Sequence, residues 1–205
     1  MKKIIKTSIL LIFSTILVAC GQQNPGTAAY VGDYRITEEE LSFYLNDLRK
    51  VVPIENNDQG TSQSRGVLAR LIIGQIISQA VTETGAIVDQ SLVAKDYDAL
   101  EKQTGGSDAL AVFAGSRNVP PLLIKEVLSQ NRALDAIGKV LAPDSTIDNQ
   151  RFKGEEYVIL KASQKNVKIN PRFGKWIPED GSIAPPANEF SEPAFGLPED
   201  VAPGR

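Results

Sequence analysis

The sequence predicts a mainly α-helical domain whose N- and C-terminal segments meet in a small two-stranded β pairing. Three observations lead there. Between residues 37 and 141, apolar side chains recur at three- and four-residue spacing, the period of a helix with one buried face. Cap and turn residues punctuate those stretches. β-prone residues collect instead at the two ends, in residues 29–35 and 167–172, where each segment needs a partner for its backbone N–H and C=O groups.

Residues 29–35 (AYVGDYR) read as a short extended segment or, through Gly32 and Asp33, a tight hairpin. Thr37-Glu-Glu-Glu40 is a capping box, which starts a helix running to about Val52. Leu41, Tyr44, Leu45 and Leu48 form its stripe, and Phe43 falls on the opposite side. Residues 53–64 have loop composition. A broad apolar face over 65–84 predicts a central helix buried on several sides, ended by Gly85. Arg70, Gln75 and Gln79 keep it out of the transmembrane class. Asp89 can cap a helix over 90–103, which Gly105 and Gly106 break. A short helix is expected at 108–114. A long one opens at Pro120-Pro121 and stops at Pro143. Residues 144–165 fit a last helix, although Tyr157, Val158, Ile159 and Leu160 are also β-prone; helix is the expectation. From Pro178 onward come six of the twelve prolines, six acids and one basic residue, the composition of an extended tail over 178–205.

Several chemistries are excluded or weakly signalled. The chain has no histidine and one cysteine, which removes His-based triads, His-containing zinc sites and any intrachain disulfide. No calcium-loop pattern occurs, and Gly105-Gly106-Ser107 lacks the Lys-Ser/Thr ending of a phosphate loop. Removing Lys2, Lys3 and Lys6 leaves 19 basic against 25 acidic side chains. That balance argues against a nucleic-acid partner. Neither cofactor, metal nor enzymatic activity is expected. Arg172 and Trp176 are expected to stack as a structural cluster.

The lone cysteine has a different meaning. Residues 1–19 combine three lysines with a short apolar run, the build of a secretory signal. Leu17-Val18-Ala19-Cys20 then resembles the lipobox of bacterial lipoproteins. The resemblance implies that Cys20 becomes the first mature residue and carries diacylglycerol on its sulfur. Residues 20–28 read as a tether, so the domain over 29–177 is expected close to the outer face of the cell membrane.

The motif V-G-D-x-x-I-T-x-x-E-L from Val31 to Leu41, followed by L-I-x-x-Q-I-I-x-Q-A from Leu71 to Ala80, resembles the N-terminal chaperone module of SurA-type foldases. The ending VKINPRFGKW is similar to that of actinobacterial SurA-like lipoproteins. The resemblance implies a SurA N-terminal, trigger-factor-like helical domain that binds unfolded exported polypeptides. Full foldases of this type insert a parvulin isomerase domain, which this chain has neither the length nor the histidines to contain. The expected function is peptide holding without isomerisation; the alternative is an envelope scaffold that docks one partner. The expected holding surface is an apolar cradle between the first, central and 120–141 helices, with Tyr44, Leu48, Ile76, Phe113, Leu123 and Val127 as lining candidates.

Overall fold

Val31 and Tyr34 flank a two-residue turn in which Gly32 takes a φ of +60°, a conformation glycine enters without a Cβ clash. The turn folds β1 (Thr27–Val31) onto β2 (Tyr34–Thr37) as an antiparallel hairpin. The structure is a computed structural model that describes residues 25–52 and 61–186. On its other side β1 pairs with β3 (Val167–Ile169), with Ala29 opposite Ile169. The two ends of the domain therefore meet, as expected, but in a three-stranded sheet of order β2-β1-β3 rather than a two-stranded one. Gly32 and Asp33 reverse the chain within the segment, and that adds the third strand.

Thr37 caps α1 (Glu38–Arg49) by accepting the Glu40 N–H at 3.0 Å. The central helix α2 (Thr61–Thr84) starts within the stretch read as loop; residues 53–60 lie outside the described residues. Val67, Leu68, Ile72 and Ile76 are buried along α2, which touches α1, α5, α6, β1 and β5. Asp89 caps α3 (Gln90–Thr104) by accepting the Ser91 N–H at 2.8 Å. Then come α4 (Ser107–Gly115), a 3-10 turn at Pro121–Leu123, α5 (Ile124–Leu141) and α6 (Ile147–Gln164). The β-prone run at 157–160 is thus helical. Its Val158 packs into the core, while Ile159 and Leu160 face outward.

The main core gathers apolar side chains of β1, α1, α2, α5 and α6. A smaller cluster, built on Leu110, Ala114, Val119, Leu123 and Ile124, sits beneath the 3-10 turn.

Three further expectations change. Thr27 and Ala28, assigned to the tether, are buried in β1. Residues 178–184, assigned to the tail, continue the fold: β4 (Lys175–Ile177) turns at Gly181 into β5 (Ser182–Ala184), and Ile183 is buried. Proline and acidic composition obscured a three-residue strand supported by tertiary contact. Arg172 stacks on Phe173, at 4.5 Å from its centroid, and pairs with Glu38 at 2.9 Å; Trp176 lies apart against the main core. Residues 1–24, including the signal segment and Cys20, and residues 187–205 lie outside the described residues.

Candidate cleft between α1, α2 and α5

The sequence places Tyr44 on the same stripe of α1 as Leu41, Leu45 and Leu48, yet near the edge of that stripe. Its ring is half-buried and meets Phe43 edge to face, with centroids 5.2 Å apart. Opposite stand Leu123, from the 3-10 turn, and Val127, from the first turns of α5. Together these three line a cleft of about 490 Å³, with α2 as its floor and Tyr34 at its rim.

Asp47 frames this cleft. Although buried, its carboxylate accepts the backbone N–H of Leu122 at 2.8 Å and Lys50 Nζ at 3.2 Å. The first bond ties α1 to the 3-10 turn across 75 residues of chain. A carboxylate that satisfies an otherwise unpaired N–H in this way fixes the spacing of the two elements.

The cleft is mixed rather than an apolar cradle. Glu40, Glu126, Gln75, Ser78 and Gln130 share its walls with the apolar residues. Gln130 reaches across α2 above Gly74, where a Cβ would stand 2.5 Å from its Nε2. Burial, and after it the Glu40 carboxylate, raise the Tyr44 and Tyr34 hydroxyls above the ordinary tyrosine value. Both therefore remain hydrogen-bond donors at neutral pH.

The six lining candidates divide. Tyr44, Leu123 and Val127 converge on the cleft. Leu48 and Ile76, at 0% and 1% exposure, are core residues with no face toward it. The apolar period of a helix reports which side is inward, and these two sit at the centre of that side, not its edge. Phe113 is outside the cleft, 39% exposed, with the Arg117 guanidinium 3.8 Å above its ring. Sequence reasoning missed Tyr34, Asp47 and Gln130. An acid adjacent to Leu48 on an apolar stripe was the available signal for Asp47; the others depend on packing.

Among the described residues no group of three or more His, Cys, Asp or Glu could hold a metal ion, and no helix is long and apolar enough to cross a membrane. No protein-family model matches the chain, and comparisons with curated proteins and with solved structures returned no match.

Proposed function

We propose that this protein is a SurA-like, membrane-anchored lipoprotein that holds extended segments of non-native polypeptides in the cleft between α1, α2 and α5, without isomerising prolyl bonds. The observation that carries this reading is the convergence of Tyr44, Leu123 and Val127, from three separate elements, on an open groove of about 490 Å³. An apolar side chain entering it is removed from water at a gain of ~25 cal/mol per Å². Gln75 and Gln130 offer both donors and acceptors. Amide side chains of this kind can bond a passing backbone without reading its sequence. Exposed Phe43 and Leu122, each 57% exposed, extend the apolar contact at the edge of α1 and the 3-10 turn.

Anchoring rests on the lipobox resemblance at Cys20. The stretch from Cys20 to Thr27 reaches at most ~25 Å, which would hold the cleft near the membrane surface. Intact mass of membrane-extracted protein tests the anchor: loss of residues 1–19 with diacylglycerol on Cys20 is expected, and a free thiol there overturns it.

Holding is tested by refolding an aggregation-prone client with residues 27–205, with a prolyl-peptide isomerisation assay in parallel. Suppressed aggregation at an unchanged isomerisation rate is the expected result. Uncatalysed prolyl exchange takes tens of seconds, so catalysis would be plain. A second reading, a scaffold for one folded envelope protein, is favoured by the outer face of α6, where Phe152, Ile159 and Leu160 are exposed. It predicts stable binding to one native partner and no suppression of aggregation.

A further inference from the structure

Arg70 stands in the middle of α2, flanked by the buried apolar residues Val67, Leu68, Ala69 and Ile72. Its Nε is buried and has no hydrogen-bond partner, and the side chain forms no ion pair with any of the described residues. Elsewhere in this chain, guanidinium groups that bridge elements have partners: Arg132 on Asp96, Arg151 on Asp135 and Glu155, Arg172 on Glu38, and Arg35 on the Thr27 hydroxyl and the Pro25 carbonyl. Burial holds the Arg70 guanidinium below the ordinary arginine value, with no described carboxylate offsetting it. The side chain is only partly buried, and Nε is its one nitrogen that is shut off from solvent without a partner; leaving such a buried N–H unpaired costs about 1–3 kcal/mol.

Arg70 borders a second cleft, of about 370 Å³, on the side of α2 facing the end of α4 and the β4–β5 hairpin. Arg117 and Asn118 form its far wall. The turn after α4 places them there: the Arg117 and Val119 N–H groups both bond the Ala114 carbonyl, and Asn118 takes a φ of +54°. Arg117 is held by its stack on Phe113 and by a 3.1 Å bond from its Nη1 to the Phe113 carbonyl. Gly66 leaves room for the Asn118 side chain, whose Cβ lies 3.2 Å from where a Gly66 Cβ would stand. Arg65, which is engaged in an interaction of its own, also lines this cleft; Ser62 and Gln130 add neutral polar groups, and no carboxylate of the described residues lines it. Glu40 and Glu126 line the neighbouring cleft, which Arg70 also borders, but neither pairs with it.

We propose that this second cleft is a carboxylate-binding site, with Arg70 as its anchor and Arg117 as the second cation. A guanidinium fork matches a planar carboxylate through two parallel N–H bonds, and the Arg132–Asp96 pair, with both bonds at 2.6 Å, shows that geometry within this chain. The carboxylate is that of a small free acid, or that of a Glu or Asp side chain on a polypeptide lying in the adjoining cleft. The site stands apart from the holding function, because its cleft shares no apolar lining residue with the holding cleft.

Isothermal titration calorimetry on the full chain in detergent, at low ionic strength, tests it. The probes are glutarate, inorganic phosphate, a neutral extended peptide, and the same peptide with one Gln replaced by Glu. Saturable binding of glutarate identifies a free acid as a sufficient ligand; binding preference for the Glu peptide alone identifies the polypeptide source. Either should weaken at least tenfold in Arg70→Met and severalfold in Arg117→Gln. Ligand-free Arg70→Met should melt within about 2 °C of the unsubstituted protein, as expected for a part-exposed side chain that makes no bond to the described residues. If that variant fails to fold, Arg70→Lys, which keeps the charge and loses the fork, should show the same loss of affinity. Equal binding of both peptides with no binding of glutarate sustains the holding function and overturns the carboxylate site. No response to any carboxylate, a response to phosphate alone, or undiminished binding in the Arg70 variants also overturns it.

Discussion

Helix α5 meets different neighbours in different ways. Toward α6 it closes to backbone contact: a Cβ on Gly138 would run into the Gln150 carbonyl, and one on Gly154 into the Leu134 carbonyl. Arg151 reinforces that seam, bonding the Asn131 carbonyl at 2.8 Å and Asp135 at 2.9 Å, and Gln150 Nε2 bonds the carbonyls of Ala142, Pro143 and Ser145. Toward α1 and α2 the same helix presents Val127 and Gln130, and a cleft remains. Contact distance between helices is set by the side chains at the crossing. Small residues seal one side of α5; larger, partly polar ones hold the other side open.

The largest expected effect lies on the sealed side. Gly138→Val should destabilise the protein by about 3 kcal/mol or more, because backbone on α6 must move to admit the side chain. Urea unfolding measures it. A cost below about 1 kcal/mol would show that the seam is pliable and that the two sides of α5 differ less than the contact implies.

The next test separates core from cleft by comparing Leu48 on α1 with Val127 on α5. Leu48→Ala should cost about 3 kcal/mol through the cavity it leaves. Val127→Ala should cost no more than about 1 kcal/mol, since its side chain already borders open space. Equal losses would erase the distinction between them.

Asp47→Ala sharpens the frame of the cleft. It leaves the Leu122 N–H without its partner, and a cost of about 2 kcal/mol is expected. Amide exchange at Leu122 should accelerate while exchange in α6 stays unchanged. Faster exchange everywhere would mean that the bond supports the whole fold and not the cleft.

The smallest effect concerns pH. Glu83 joins α2 to α6 by accepting from Lys161 and Lys165, each at 2.7 Å, and the bonds from Lys161 first and Lys165 second lower its pKa from 4.5 to about 2. A carboxylate depressed on folding contributes stability that is complete above its unfolded value and lost as pH falls toward the folded one. Glu83→Gln should therefore flatten the decline in stability between about pH 4.5 and 2. Because the pair faces solvent, its cost at neutral pH should stay below about 1 kcal/mol. An unchanged acid limb would show that the lysines add nothing at this seam.

Much of the architecture is readable residue by residue. Thr37 and Asp89 cap the helices their spacing announced. Gly85 and Gly105 end helices with φ of +67° and +94°. The apolar breadth of α2 announced a central helix, and the β-prone ends pair. Part of the cleft was legible in the same way, through Tyr44, Leu123 and Val127. The rest was not. Leu48 and Tyr44 carry the same periodic signal, and only packing separates them: Leu48 is fully buried in the main core, while Tyr44 is half-buried beside Leu123 of the 3-10 turn.

Caps, helix stops and inward faces follow from the linear order because each depends on residues within a turn or two of one another. Tertiary structure alone decided how near the faces come: that Gly138 meets Gly154, that Gln130 lies over Gly74, that Ile183 finds α2, and that no described carboxylate reaches Arg70. A periodic pattern states which side of a helix is buried. The distance to whatever buries it depends on side chains far away in the chain, and that distance determines whether a face becomes core or cleft.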